Sequence, residues 1–186
     1  QLANNLGVSR NAVWKAIKSL EKNGYQITAV PNKGYCLSDQ NDILSPSSIN
    51  QYLKHPLNIS VYKTISSTNT VLKEEANNGA PEGTVIISEE QTAGRGRMGK
   101  KFYSPAGTGI YLSILLRPDM PANESLFLTT SAAVATAKAI EDVSDKKAGI
   151  KWVNDIYIDS KKVCGILTEA AFNLETGKLD YAIVGI

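Results

Sequence analysis

Histidine is almost missing from this chain of 186 residues: His55 stands alone, and Cys36 and Cys164 are the two cysteines. One imidazole and two distant thiols supply no zinc-ligand spacing, no Cys-x-x-Cys and no disulfide framework, so no protein-held metal is expected. His55 directly precedes Pro56 in a linker-like stretch, which argues against a Ser–His or Cys–His nucleophile pair. Long apolar runs are also missing. The stretch 110–116 is far too short to span a bilayer and contains Ser113, so no membrane is expected among the partners. The amino terminus, Gln-Leu-Ala-Asn-Asn, has neither the basic region nor the apolar core of a secretory leader, and the expected compartment is the cytoplasm. What remains, 42% hydrophobic and 20% charged residues, is the composition of a folded chain.

The small net charge of +2 hides an asymmetry. Residues 1–38 carry Arg10, Lys15, Lys18, Lys22 and Lys33 against Glu21 alone, while the rest of the chain is slightly acidic. The spacing predicts a short helix over 2–6, a stop at Gly7, and a second helix capped by Ser9. In that helix Val13, Ala16, Ile17 and Leu20 form one apolar stripe, and Asn23-Gly24 ends it. Residues 25–30 then alternate as a strand, Pro31-Asn32-Lys33-Gly34 make a turn, and Tyr35-Cys36-Leu37 return. Two helices around a glycine turn, followed by a hairpin, give a winged helix-turn-helix. Ser9, Arg10, Asn11 and Trp14 then lie at the helix start, where base edges are read, and Lys15, Lys18 and Lys33 face phosphates. The alternative is an amphipathic helix with a solvated basic face.

Ser38-Asp39-Gln40-Asn41-Asp42 is polar and marks a boundary. The reading gives a DNA-binding domain over 1–40, a linker over 41–58 with a short helix from Ser45-Pro46 to Leu53, and a larger domain over 59–186. In the latter, strands are expected at 59–65, 84–88 and 110–116, with helices at 69–76 and 125–143. Three further strands are expected at 150–158, 162–172 and 179–185, with Asp159-Ser160-Lys161-Lys162 as a turn. Interleaved strands and helices followed by hairpins predict an α+β (mixed α/β) fold with a mixed sheet.

Two segments carry chemistry. In 91–102, three glycines free the backbone while Arg95, Arg97, Lys100 and Lys101 crowd positive charge together. Such a loop either wraps an anion with N–H groups and guanidinium forks, or is a solvated Arg-Gly tract able to touch RNA. It is neither a Walker A loop nor a dinucleotide fingerprint. In Lys151-Trp152-Val153-Asn154-Asp155, the lysine is either an edge charge or a point ammonium aimed at developing negative charge.

Gly94-Arg95-Gly96-Arg97, Lys151-Trp152-x-Asn154-Asp155 and Ser67-Thr68-Asn69 together resemble the biotin–protein ligase family. Gly109-Ile110-Tyr111-Leu112-Ser113 and Gly165-Ile166-Leu167-x-Glu169 continue the match. With the winged module ahead, the chain is similar to the bifunctional biotin–[acetyl-CoA-carboxylase] ligases that double as biotin operon repressors. The resemblance implies biotin contacts at Ser67, Thr68 and Asn69, and a ligand loop at Gln91, Gly94, Arg95, Gly96 and Arg97. It implies that Lys151 is the binding lysine, with Lys151 and Arg97 as catalytic cations. It further implies biotin and ATP as substrates, Mg²⁺ on the phosphates, and biotinyl-5′-AMP as the product of the first step. The implied partners are a biotin carboxyl carrier protein, operator DNA, and a second copy of the chain once biotinyl-AMP is held. Met98, Phe102 and Val153 depart from the family's arginine, tryptophan and proline. The family pattern also has a helix ahead of Leu2 and continues with Gly-x-Asn and a small β-domain, so both ends read as truncated. The rival readings are a biotin-sensing regulator without enzymatic activity and a lipoate-type acyl ligase.

Overall fold

The computed structural model describes residues 2–31, 33–38 and 41–186. Parts of the expected Pro31–Gly34 turn and of the 38–42 boundary, namely Asn32, Asp39 and Gln40, lie outside the described residues. The chain divides into two compact units, Gln1–Ile49 and Asn50–Ile186.

In the first unit, helix α1 spans Leu2–Asn5 and α2 spans Arg10–Lys22. Between them Gly7 adopts φ +64, a left-handed conformation that ends α1 at no Cβ cost. The Ser9 hydroxyl accepts from Ala12 N at 3.1 Å and satisfies one of the free N–H groups at the start of α2. At the other end Gly24 N donates to Glu21 O and Tyr25 N to Leu20 O, a Schellman closure. That closure takes Tyr25 out of the ladder, so β1 spans Ile27–Val30 and starts two residues later than its alternation predicts. It pairs antiparallel with β2, Gly34–Leu37. Only Val13 and Ile17 of the apolar stripe are buried; Ala16 and Leu20 are exposed. A one-turn helix and a two-stranded hairpin offer too little surface to cover a 13-residue helix.

Helix α3, Pro46–Asn50, is capped by Ser45, whose Oγ accepts from Ser48 N at 3.1 Å. It stops short of Leu53 because the Asn50 carboxamide turns to the backbone of Leu57, accepting at 2.8 Å and donating at 3.1 Å.

The second unit is built on β3 (Asn58–Ile65), α4 (Thr68–Asn77), β4 (Thr84–Gln91), β5 (Tyr111–Leu116) and α5 (Leu126–Val143). It continues through β6 (Gly149–Lys151), β7 (Asp155–Ile158), β8 (Lys161–Gly165), β9 (Leu167–Phe172) and β10 (Leu179–Gly185). One sheet runs β3-β4-β5-β10-β9, parallel at β3/β4 across the α4 crossover and antiparallel elsewhere, so it is mixed as expected. A second sheet runs β6-β7-β8. Neighbouring residues of β10 point to opposite faces. Ile183 packs with Leu72, Ala76, Ile86 and Leu115 in the α4 core, and Val184 with Ala133, Ala137, Ile156 and Ile166 in the α5 core.

Two expected strands are divided. The 150–158 strand breaks into β6 and β7 around Trp152 and Asn154, and the 162–172 strand breaks into β8 and β9 at Ile166. The breaks face each other: Ile166 N donates to Asn154 O at 2.8 Å, and Asn154 Nδ2 donates to Ile166 O at 3.1 Å. At that point the chain leaves the small sheet for the large one, and the Ile166 side chain enters the core at 2% exposure. The β7/β8 turn is also tighter than expected. Asp159 and Ser160 both take positive φ, 47 and 65, as a two-residue hairpin turn requires, and Lys161 and Lys162 belong to β8.

Candidate active site

Gln91, the last residue of β4, organises a polar wall. Its Oε1 accepts from Thr68 N at 2.8 Å and Thr68 Oγ1 at 3.1 Å, and its Nε2 donates to Ser104 Oγ at 3.1 Å. Beside it, Asn69 projects from the first turn of α4. Its Oδ1 accepts from Ser113 Oγ at 2.6 Å; its Nδ2 donates to Leu167 O at 3.2 Å and Glu169 Oε2 at 2.9 Å. Ser67, Thr68, Asn69 and Ser113 are all buried, and among the described residues no buried side-chain polar atom lacks a partner. Such a satisfied network fixes its donors and acceptors before any ligand arrives.

The loop after β4 is held at its base. Gln91 N bonds Ser104 O and Phe102 N bonds Gly94 O, both at 2.9 Å. A side chain at Gly94 would meet Ser104 Oγ at 2.6 Å, so the close return of the loop requires glycine there. Beyond this base, Arg95 Nη1 lies 3.3 Å from Glu169 Oε1, and Arg97 Nη1 donates to Asn154 Oδ1 at 2.7 Å. From β8, Lys162 Nζ donates to Asp155 Oδ1 at 2.7 Å. The absent side chain of Gly165 leaves room for this ammonium and for the Phe102 ring, which an added Cβ would meet at 3.1 and 3.3 Å.

These groups line one cavity of about 390 Å³. Ser67, Thr68, Asn69, Gln91, Arg95, Gly96 and Arg97 of the expected site all border it, and Gly94 stands behind them. Arg95, Arg97, Lys100, Lys101 and Lys162 face it against Asp155, so the cavity is strongly positive. Lys151 does not border it. Its side chain is exposed, with Nζ 5.6 Å from the centroid of the Tyr157 ring. Lys162, which borders the cavity with Lys100 and Lys101, was read where the four-residue 159–162 turn meets the 162–172 strand, with no role in the site. Read as a two-residue turn, Asp159-Ser160 would have put Lys162 inside the strand rather than at its edge. Asn154, Asp155 and Ser113 were quoted as motif or strand residues without a role in the site, and Ser104 was not singled out; all four orient the groups around it.

Among the described residues no group of three or more His, Cys, Asp or Glu could hold a metal ion, and no helix is long and apolar enough to cross a membrane. In the first unit Arg10, Asn11, Trp14, Lys15 and Lys18 are exposed on α2, whose buried residues are Val13 and Ile17, and Lys33 is exposed in the hairpin turn. Ser9 is engaged as the cap, and Lys18 Nζ donates to Glu21 Oε2 at 2.6 Å. That hydrogen bond and the Glu21 charge raise the Lys18 pKa above its ordinary value.

A family model described as the biotin/lipoate A/B protein ligase family matches residues 61–186, and one described as an HTH domain matches residues 1–36. The bifunctional ligase/repressor BirA of Bacillus subtilis (strain 168) is 42% identical over 189 residues, covering 100% of this chain and 58% of that protein. The protein of the same name from Escherichia coli (strain K12) is 32% identical, covering 100% of this chain and 56% of its own length. A biotin protein ligase from Aquifex aeolicus, solved in complex with biotin and ATP, aligns with a TM-score of 0.56 at 33% identity. That alignment covers 69% of this chain and 50% of the other. The chain thus spans less than two thirds of the length of these relatives.

Proposed function

Because the chain belongs to the biotin/lipoate A/B protein ligase family, we propose that it serves an ATP-dependent biotin–protein ligase that also represses transcription of biotin genes. The observation that carries this reading is one cavity bordered both by a neutral hydrogen-bonding set and by a cationic set. Biotin has the same two parts. Its ureido ring is uncharged and needs aimed donors and acceptors, for which Ser67, Thr68, Asn69 and Gln91 are suited. Its carboxylate, and the phosphates of ATP, need cations, for which Arg95, Arg97 and Lys162 are suited, with Gly96 allowing close approach of the backbone. Of the two lysines, Lys162 is the better candidate for the point charge, since it borders the cavity and Lys151 does not.

In the reaction the carboxylate oxygen bonds to the α-phosphorus of ATP and the bond to pyrophosphate breaks, giving biotinyl-5′-AMP. A lysine amine of the biotin carboxyl carrier protein then attacks the acyl carbon, and AMP leaves. The protein contributes no nucleophile: Arg97 and Lys162 stabilise charge developing on the α-phosphate, and the loop excludes water from the adenylate. Among the described residues the acidic donors do not fit a protein-held Mg²⁺ cage, so any Mg²⁺ would travel with the nucleotide phosphates.

A lipoate-type ligase is disfavoured because a dithiolane ring has no hydrogen-bonding group to meet the amide and hydroxyl wall, whereas a ureido ring offers it both donors and an acceptor. For the first unit, the exposed Arg10, Asn11 and Trp14 at the start of α2 support major-groove reading, with Lys15, Lys18 and Lys33 near phosphates. One small module buries little DNA surface, so tight operator binding would need a homodimer, favoured by biotinyl-AMP.

Incubation with biotin and α-labelled ATP tests the ligase reading. Labelled biotinyl-AMP should form with biotin and not with lipoate. Binding of biotin without any adenylate would instead support the sensor reading, and adenylation of lipoate would overturn the assignment.

A further inference from the structure

The Arg97 guanidinium reaches across 57 positions of sequence to Asn154 Oδ1, at 2.7 Å. Asn154 is itself fixed from behind: its main-chain O accepts from Ile166 N at 2.8 Å, and its Nδ2 donates to Ile166 O at 3.1 Å. Ile166 is 2% exposed and packed in the α5 core, so the carboxamide is anchored to the rigid part of the unit. Arg97, by contrast, lies on the exposed tip of the loop. The next residue, Asp155, holds Lys162 in the same manner.

We propose that Asn154 is a positioning residue, which presents the Arg97 guanidinium at the cavity and ties the tip of the 91–102 loop to the junction of β8 and β9. The carboxamide divides the work between its two atoms. The oxygen faces the loop and the nitrogen faces the junction, so the two contributions are separable by substitution. The inference about the loop stands on these contacts alone; its consequence for adenylation rests on the ligase reading above.

Amide hydrogen exchange of residues 94–101, measured on the ligand-free chain, tests it. Asn154→Ala and Arg97→Ala should each speed exchange about three- to tenfold, the order for losing one hydrogen bond at an exposed site. The double variant should be no faster than the faster single one, since one contact cannot be lost twice. Asn154→Asp keeps an oxygen for Arg97 and loses the donor to Ile166 O, so it should retain the protection of the unsubstituted loop. It also carries the test should the alanine variant fail to fold. Unchanged exchange in Asn154→Ala, effects that multiply in the double variant, or an Asn154→Asp loop as loose as that of alanine would each overturn the proposal. In biotin-dependent pyrophosphate exchange, Asn154→Ala should add nothing to the loss caused by Arg97→Ala. Absence of pyrophosphate exchange in the unsubstituted chain would count against the ligase reading and leave the loop result standing.

Discussion

Adding a single methyl group at Gly185 should cost more than most core truncations, and the structure says why. Gly185 lies on β10 between Ser113 of β5 and Leu167 of β9, and a Cβ there would overlap the Asn69 carboxamide. Asn69 is 4% exposed and makes three side-chain hydrogen bonds, to Ser113, Leu167 and Glu169. If the carboxamide is displaced, two neutral bonds at about 1 kcal/mol each and one to a carboxylate at about 2 kcal/mol are lost, about 4 kcal/mol in all. A domain of this kind has about 5–15 kcal/mol of stability, so Gly185→Ala should fold but unfold at a much lower urea concentration. Urea denaturation in two backgrounds checks the reasoning. With Asn69 already replaced by Ala the clash is gone, and Gly185→Ala should cost less than about 1 kcal/mol. Biotin titration should show a loss of at least about tenfold for Gly185→Ala, since each 1.4 kcal/mol is a factor of ten. An equal cost in both backgrounds, or a cost below about 1 kcal/mol in the first, would refute the argument.

Other outcomes follow from the same geometry. Lys162→Ala should slow adenylation by about 10²–10³, the order for one preorganised donor, while Lys151→Ala should change it by no more than about a factor of two, as for a surface site; similar losses for both would return Lys151 to the mechanism. Lys15→Ala should lower the salt slope of DNA binding by about 1, and Lys18→Ala should lower it less, because Glu21 already neutralises Lys18. Glu21→Ala should steepen the slope, and a flat response would remove α2 from the phosphate contacts. Burial pushes the Cys164 thiol up from 9.0 to about 11, so at pH 8 it should alkylate about 10²-fold more slowly than an unperturbed thiol, well after exposed Cys36. The same shift has a sign for stability. Below pH 9 the thiol is neutral in both states, and as pH rises from about 9 to about 11 only the unfolded chain ionises, so stability should fall across that window. Cys164→Ser, measured by urea denaturation at pH 8 and pH 10.5, should abolish that part of the decline.

Local signals were legible where one residue decides one feature. Ser9 reads as a cap, Gly7 and Gly24 as stops, and 110–116 as a strand, and each takes that place in the structure. The neutral wall and the arginines of the loop were legible by resemblance, and the structure brings Ser67, Thr68, Asn69, Gln91, Arg95 and Arg97 around one cavity. Alternation does not say which sheet a strand joins, however. Residues 150–158 and 162–172 have the period of two long strands, and only the pairing of Asn154 with Ile166 turns them into four strands in two sheets. The choice between Lys151 and Lys162 depends on that same division. A lysine at the end of a short strand and one in the middle of a hairpin look alike in sequence, and differ in whether the pleat turns them toward the cavity.

The position of β10 carries a consequence for the order of assembly. It is the last of these strands to leave the ribosome, yet it lies between β5 and β9 and supplies Ile183 to one core and Val184 to the other. Asn69 must meet Glu169 across 100 positions of chain, and Tyr181 must meet Asn77 across 104. Closures of that length are slow, and the contacts that reward them arrive together. Until β10 inserts, the large sheet is two separate pieces, β3-β4-β5 and β9, whose facing edges are unpaired, a state in which chaperone binding and proteolysis compete with folding. A nascent chain arrested before Leu179 would carry every arginine and lysine of the site and still lack the strand that joins β5 to β9 beside them.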